Sequence, residues 1–166
     1  MGLPITEGGL PNTGYPEGSF AAVTIDHSIE HLHDPVAGVR EVRRILEPGG
    51  TVWIATPNLS SIGHKLFGPA WRGLEPPRHL VLFTTATLIS TLSRAGFDQI
   101  RRVRAPFSSQ WYFASSSQIA RGQDPTRANC SRLPLWLRLK AYVADWHALL
   151  EPGYGEEIII MAKRLC

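Results

Sequence analysis

Two apolar segments separated by a helix pattern constrain the fold of this chain most strongly. Phe20–Asp26 reads FAAVTID and Thr51–Pro57 reads TVWIATP, and both runs are typical of buried strands. Between them, Asp34-Pro35 is typical of a helix start, and the EPGG sequence at Glu47–Gly50 is typical of a helix end. Two strands joined by a helix run parallel through a right-handed crossover. The sequence therefore predicts an α/β fold with a mostly parallel sheet.

The rest of the chain continues this alternation, and the full length of 166 residues predicts one domain. Residues 1–19 are rich in Gly and Pro and are predicted to be irregular, and the polar residues 108–132 are predicted to form a flexible loop. The other predicted elements are a helix at Thr85–Ala95, a strand at Gln99–Val103, a helix at residues 134–150 and a last strand near Glu156–Arg164. In the last helix, an apolar stripe at helical spacing is predicted to pack in the core: Trp136, Leu139, Tyr142, Val143, Trp146 and Leu150.

Composition excludes several classes of function. The net charge is +3, but the basic residues are scattered and are not interleaved with aromatic residues, so we expect no nucleic-acid partner. Apolar runs fall short of the ~20 residues of a membrane span, so we expect no membrane partner and a cytoplasmic location. Cys130 and Cys166 lack C-x-x-C spacing, and this excludes a disulfide framework and a cysteine-based zinc site.

A histidine-rich turn follows the first strand. His27 to His31 matches the H-x-x-E-H pattern of some zinc peptidases. Such a site needs both histidines on one face of a helix. Here His27 directly follows a strand, and Asp34-Pro35 starts a new helix just after His31. No third ligand is evident in the sequence, so we predict no metal site.

Two stretches together resemble a known family. The segment at residues 15–58 has a P-E-G-S-F turn, a strand, Glu30-His31, Asp34-Pro35, a helix, E-P-G-G and another strand. It resembles the second half of class I S-adenosylmethionine-dependent methyltransferases, and in particular bacterial small-molecule methyltransferases related to ubiquinone-biosynthesis enzymes. The segment at residues 71–97, WRGLEPPRHLVLFTTATLISTLSRAGF, resembles the substrate-side loop and next helix of the same group. The resemblance covers the chain from about Gly8 onward.

The resemblance implies a Rossmann-like sheet that is only partly present. In this family seven strands form the sheet, the last strand is antiparallel, and a Gly-rich cofactor turn follows the first strand. The first three strands and that turn precede the matched part, so we expect a truncated domain whose N-terminal strands are missing. In the family the strand matching Phe20–Asp26 pairs with the missing strand one. We therefore expect an exposed sheet edge that forms a homodimer or binds a partner chain.

The resemblance also implies a cofactor and candidate site residues. It implies S-adenosylmethionine as the cofactor and methyl transfer to a small-molecule acceptor. The implied cofactor-side residues are Asp26, His27, Ser28, Gly9 and Leu10, with Gly9 in the place of the family's usual acid. Asp26 or His27 is the expected general base. The implied substrate-side residues are Glu30, His31, Trp71, Arg78 and His79.

Structural roles remain open for several of these residues. Glu30-His31 is interpreted either as part of the pocket or as a pair that ties the turn to the next helix, and Arg78 or His79 either binds substrate or pairs internally. Two other functions are considered for the whole chain: a non-catalytic fragment or half of a split enzyme completed by a partner, and, less favoured, a zinc hydrolase.

Overall fold

A computed structural model describes residues 7–105, 107–151 and 153–165; the predictions that involve residues 1–6 and Cys166 lie outside this range. The described residues form one four-stranded sheet with the order β1-β2-β4-β3. β1 is parallel to β2, whereas β4 is antiparallel to both β2 and β3. Three strands therefore run in one direction and the last runs against them, which confirms the predicted fold class. The strands are β1 Phe20–Asp26, β2 Leu46–Pro57, β3 Asp98–Val103 and β4 Glu157–Lys163.

Local sequence signals explain where the helices begin. The described residues form the α-helices α1 Pro35–Ile45, α2 Ile62–Phe67, α3 Thr85–Arg94, α4 Ser109–Ala120 and α5 Leu135–Leu150. The Asp34 carboxylate accepts a hydrogen bond of 2.9 Å from the Ala37 amide and caps α1. Thr84 and Thr87 form a reciprocal capping box at the start of α3. None of the helices in the described ranges is long and apolar enough to cross a membrane.

The start of β2 differs from the prediction. β2 begins at Leu46, directly after the helix, rather than at Thr51. The EPGG residues form an irregularity at the start of the strand, because the pairing moves from Phe20 with Leu46 to Ala22 with Thr51. Gly49 has a φ of +82° there, which glycine adopts without strain.

The two faces of the sheet have different surroundings. One face packs against α1 and α3 in a core that contains Val39, Val42, Leu88, Leu92, Val52, Ile54 and Ile160. Full burial of each such side chain contributes about 1.5–3 kcal/mol. On the opposite face, one row of paired residues crosses all four strands: Thr24, Trp53, Met161 and Arg101. Thr24 and Arg101 are exposed, and Met161 is 40% exposed, so this face is open to solvent.

The prediction of a flexible loop at residues 108–132 is wrong for the first half of that segment. Ser109–Ala120 is the helix α4, and Tyr112, Phe113 and Ala114 are buried in a second apolar cluster with residues of α5. The serines concealed this helix, because Ser109, Ser115 and Ser116 are themselves fully buried. Two short 3-10 turns follow, at Pro125–Arg127 and Cys130–Arg132.

The inward face of α5 is also not the predicted one. Leu137, Ala141 and Ala144 are buried, and the small alanine side chains allow α5 to pack closely on α4. The predicted core stripe points outward instead, with exposures from 45% at Tyr142 to 80% at Leu150. The structure therefore corrects the prediction that this stripe packs in the core.

Candidate functional site

A cavity of about 260 Å³ lies at the edge of the sheet where β1 and β2 end. Because β4 runs antiparallel, its first residue, Glu157, pairs with Pro57 and lies at the same edge. The sheet side of the cavity is lined by His27, Pro57 and Glu157, and α4 contributes Trp111 and Tyr112. Residues of the 72–79 loop close the opposite side. In doubly wound sheets, ligands bind beyond the carboxyl ends of the strands, which is the position of this cavity.

His27 lies between two carboxylates at the end of β1. Its Nε2 is 3.3 Å from Glu157 Oε1, and its Nδ1 is 3.5 Å from Glu30 Oε1. The interactions with Glu157 and then Glu30 outweigh partial burial and raise the pKa of His27 to about 10. The imidazole is therefore protonated at neutral pH and has no free lone pair with which to accept a proton. Asp26 lies 4.0 Å from His27 Nε2, and its side chain is 65% exposed at the rim.

Glu30 is buried behind the cavity wall. Its side chain is 1% exposed, and its Oε2 accepts a hydrogen bond of 2.9 Å from Thr56 Oγ1. Burial raises the pKa of Glu30, but hydrogen bonding and the charge of His27 outweigh this effect and leave the pKa lowered. Oε1 is buried without a hydrogen-bond partner among the described residues. Glu30 is thus an ionised group below the surface of the cavity rather than part of its lining.

The 72–79 loop brings two further predicted residues to the cavity. Arg78 and His79 both line it, and the ring of His79 lies 4.9 Å from that of His31 between centroids. Glu75 forms ion pairs with Arg72 and Arg78. Burial opposes these ion pairs, but the net effect lowers the pKa of Glu75. The loop therefore presents arginine and imidazole groups to the cavity on a framework of internal ion pairs.

Trp71, one of the implied substrate-side residues, does not line the cavity. Trp71 is only 1% exposed, stacks on Tyr112 with a 6.0 Å separation between ring centroids, and lies in the second apolar cluster. Its Nε1 donates a hydrogen bond of 2.8 Å to Glu156 Oε2. Glu156 Oε1 accepts another of 2.8 Å from the Gly63 amide, and burial raises the pKa of Glu156. Trp71 thus supports the cavity from behind.

The structure separates the predicted cofactor-side residues. Ser28 stays beside Asp26, because its Oγ donates a hydrogen bond of 2.8 Å to the Asp26 carbonyl oxygen. Gly9 and Leu10 instead line a different, smaller cavity, which shares no lining residue with the one at His27. Of the predicted set, Asp26, His27 and Ser28 therefore lie together and Gly9 and Leu10 lie elsewhere.

The H-x-x-E-H pattern does not form a helical zinc site. His27 has a left-handed backbone conformation with a φ of +44°, and Ile29–His31 is a single 3-10 turn. The two histidines are therefore not presented from successive turns of one α-helix, as the zinc-peptidase pattern requires.

Tyr112 and Glu157 are among the cavity residues that the sequence analysis did not assign to the site. Tyr112 OH lies 3.4 Å from Glu157 Oε1, and burial followed by the charge of Glu157 raises the pKa of Tyr112 well above its usual value. Glu157 was detectable in principle, because the first residue of an antiparallel last strand lies beside the carboxyl ends of its neighbours. Tyr112 carried no such signal, since it lies in the serine-rich segment that was predicted to be a loop.

Comparison with known proteins finds relatives that are methyltransferases. A methyltransferase-domain family model matches residues 8–101. A protein named as a probable S-adenosylmethionine-dependent methyltransferase of Mycolicibacterium smegmatis is 33% identical over 96 residues, which is 58% of this chain and 35% of that protein. The ubiquinone biosynthesis O-methyltransferase of Xanthomonas campestris is 46% identical over 41 residues, which is 25% of this chain and 17% of that enzyme. The chain thus spans about a third or less of the length of these relatives.

Solved structures share the fold. A SAM-dependent methyltransferase of Thermotoga maritima superposes with a TM-score of 0.53 at 16% identity, and the match covers 90% of this chain and 58% of that one. The phosphoethanolamine N-methyltransferase 2 of Haemonchus contortus, in complex with S-adenosyl-L-methionine, gives a TM-score of 0.50 at 12% identity, with 92% and 35% covered. At these identities the likeness concerns the fold alone.

Proposed function

The chain belongs to the methyltransferase-domain family, and from this premise we propose that the cavity at His27 is the acceptor side of an S-adenosylmethionine-dependent methyltransferase site. The observation that carries the proposal is the position of the cavity, at the carboxyl ends of β1 and β2 where this class of sheet binds ligands. The proposed acceptor is a small molecule, because a cavity of about 260 Å³ has room only for a small substrate.

The described residues fit one part of the cofactor. Asp26 offers a largely exposed carboxylate at the end of β1, and Ser28 fixes the turn that follows. Such a carboxylate suits the positively charged methionine part of S-adenosylmethionine, which supplies an electrophilic methyl group when it is bound. In this fold class a Gly-rich turn after a strand holds the nucleoside part of the cofactor. No such turn occurs among the residues that the structure describes. We therefore propose that Asp26 and Ser28 contact the methionine side of the cofactor.

The cavity residues suit an acceptor that loses a proton as it is methylated. Glu157 lines the cavity, and its Oε1 lies 3.3 Å from His27 Nε2 and 3.4 Å from Tyr112 OH. We propose that this carboxylate takes the proton from an acceptor hydroxyl or amine, and that His27 positions it. Arg72 and Arg78 attract an acceptor with negative charge. The Arg72 guanidinium lies 5.6 Å from the Trp111 ring centroid, which places a flat cation and an aromatic face on the same wall.

Calorimetric titration with S-adenosylmethionine tests cofactor binding by this chain. We expect saturable binding, and we expect Asp26→Asn to weaken it about tenfold, because hydrogen bonds to charged groups contribute about 1.5–3 kcal/mol. Asp98→Asn is the matched control, since Asp98 is exposed at the start of β3, away from the cavity lining. No binding at millimolar S-adenosylmethionine, or equal losses in both variants, would contradict the proposal.

The open side of the sheet favours a partner for this domain. Among the described residues β1 pairs with β2 and with no other strand, so one edge of β1 is unpaired. The row Thr24, Trp53, Met161 and Arg101 leaves the adjoining sheet face open. Exposed strand edges pair readily with other chains. We propose that a second copy of the chain binds at this edge, or that a partner chain completes the sheet there as in a split enzyme.

Sedimentation equilibrium tests this edge directly. We expect the purified protein to self-associate and Thr24→Lys to shift it toward monomer, because a lysine on an exposed edge strand disfavours strand pairing. Ser90→Lys adds the same charge on the exposed side of α3 and should leave the association unchanged. If the protein stays monomeric at all concentrations, no second copy binds at the edge. If a methyltransferase fragment that carries the family's first three strands also fails to bind, the proposal for the edge is wrong.

A further inference from the structure

Three metal-ligating side chains converge at the cavity edge. Within the part of the chain that the structure describes, Glu30, His31 and His79 each place one ligand atom within 4.8 Å of the other two. We propose that these three residues bind one divalent transition-metal ion of the zinc type. The proposal does not depend on methyl transfer, and it reverses the sequence-based expectation of no metal site.

Both histidines are oriented as metal ligands are. His31 Nδ1 lies 2.7 Å from the Arg78 carbonyl oxygen, and His79 Nδ1 lies 2.8 Å from the Gly73 carbonyl oxygen. A carbonyl oxygen only accepts hydrogen bonds, so each Nδ1 carries a proton and donates it. In a neutral ring this leaves the Nε2 lone pair free. Metal-bound histidines almost always donate their other ring N–H in this way, which fixes the tautomer and the ring direction.

Glu30 supplies a buried carboxylate oxygen that lies near His27 but accepts no hydrogen bond among the described residues. Its Oε2 is bonded to Thr56, whereas the buried Oε1 has no hydrogen-bond partner among the described residues. His79 Nε2 lies 3.9 Å from Oε1, and His27 Nδ1 lies 3.5 Å from it on another side. A buried carboxylate oxygen without a hydrogen bond is unfavourable. A cation between Oε1 and the two imidazoles would satisfy it.

The backbone holds these ligands together across the chain. The amides of Leu80 and Val81 donate hydrogen bonds of 2.8 and 3.1 Å to the Glu30 carbonyl oxygen. These bonds tie the segment after His79 to the turn that carries Glu30 and His31. Ligand positions fixed by the backbone reduce the ordering cost of binding. The convergence is therefore a property of the fold and does not depend on the side chains alone.

The donor set favours a particular class of metal. Two imidazoles and one carboxylate suit Zn²⁺ and its neighbours, whereas Mg²⁺ and Ca²⁺ prefer oxygen ligands throughout. Zinc–ligand bonds of about 2.0–2.2 Å require the three atoms to approach closer than they lie here, so we expect the site to contract when the ion binds. Because His31 and His79 line the cavity, a further coordination position faces it and is accessible to water or to an oxygen of a bound ligand.

Calorimetric titration of the chelator-treated, full 166-residue protein with zinc chloride tests the site. We expect one zinc ion per chain, which elemental analysis after dialysis should also detect. His31→Gln, His79→Gln and Glu30→Gln should each weaken binding by at least about tenfold, the scale of loss seen even for residues that only support a ligand. His33→Gln is the matched control, since His33 is an exposed histidine two residues from His31.

Cobalt(II) gives a second readout that does not depend on the stability of the variants. Bound cobalt should produce visible absorption in the wild-type protein, and added zinc should displace it. If neither zinc nor cobalt binds the wild-type chain, the proposal is wrong. It is also wrong if the His31 and His79 variants bind zinc as tightly as the wild type, or if His33→Gln loses binding to the same extent.

Discussion

Replacing Glu156 with alanine is expected to lower the free energy of unfolding by about 2–4 kcal/mol, because buried donors that lose their acceptor cost about 1–3 kcal/mol each. Glu156 is 1% exposed and accepts hydrogen bonds from Trp71 Nε1 and the Gly63 amide. Alanine leaves both donors unpaired and removes the side chain that fixes Trp71 beneath the cavity. Urea unfolding followed by tryptophan fluorescence measures the loss.

Glutamine at position 156 separates hydrogen bonding from charge. Its carboxamide provides one acceptor, so one of the two donors is left without a partner, but no charge is buried. We therefore expect a smaller loss than for alanine. Glu151→Ala is the control for removing a carboxylate, since Glu151 is exposed at the end of α5, and its effect should stay within about 0.5 kcal/mol.

The stability of the wild type relative to Glu156→Gln should depend on pH. Burial raises the pKa of Glu156 in the folded state above its value of 4.5 in an unfolded chain. The stabilising contribution of a group with a raised pKa is complete below the unfolded value and is lost as the pH rises through the folded one. The wild type should thus be favoured over Glu156→Gln more at about pH 4 than at about pH 7. The opposite trend would show that Glu156 is stabilised as a buried anion.

Local signals carried most of the fold prediction. The Asp34-Pro35 helix start and the two apolar strands lie within one short crossover, and each acts through neighbouring residues. The structure agrees with them for that reason. α5 shows the limit of periodicity, because this helix has one apolar face of large side chains and another that contains Leu137, Ala141 and Ala144. Spacing alone does not determine which of two apolar faces packs inward.

Position at strand ends made Asp26 and His27 predictable, whereas Arg78 and His79 were expected only from the family resemblance. Asp26 is the last residue of β1 and His27 follows it, so both were expected at the edge of the sheet where ligands bind. The approach of His79 to His31 depends on backbone hydrogen bonds from Leu80 and Val81 to Glu30, and no local pattern reports such contacts. The position of Glu157 depends on the register of β4 against β2. Long-range pairing therefore accounts for the position of Glu157, which the sequence left unassigned.

Replacing Glu157 with glutamine is expected to reduce methyl transfer by about 10²–10⁴-fold, the usual contribution of a positioned proton acceptor. Glutamine has nearly the same shape and still accepts a hydrogen bond from Tyr112, but its amide does not take up a proton. The measurement is transfer of labelled methyl groups from S-adenosylmethionine to a panel of phenols and amines, with any complementing partner chain present.

The pattern across variants decides whether Glu157 takes the proton. If it does, the rate of transfer should fall in Glu157→Gln while S-adenosylmethionine affinity stays within about twofold of the wild type, because an interaction made only in the transition state lowers kcat without changing ground-state binding. Glu7→Gln is the control, since Glu7 is exposed in the N-terminal segment and outside the cavity lining. An acceptor with a more acidic hydroxyl should recover part of the lost rate, because it needs less help to lose its proton. Wild-type rates in Glu157→Gln would show that Glu157 does not take the proton. The role would then return to Asp26, which the sequence predicted as a base and which is exposed at the rim of the cavity.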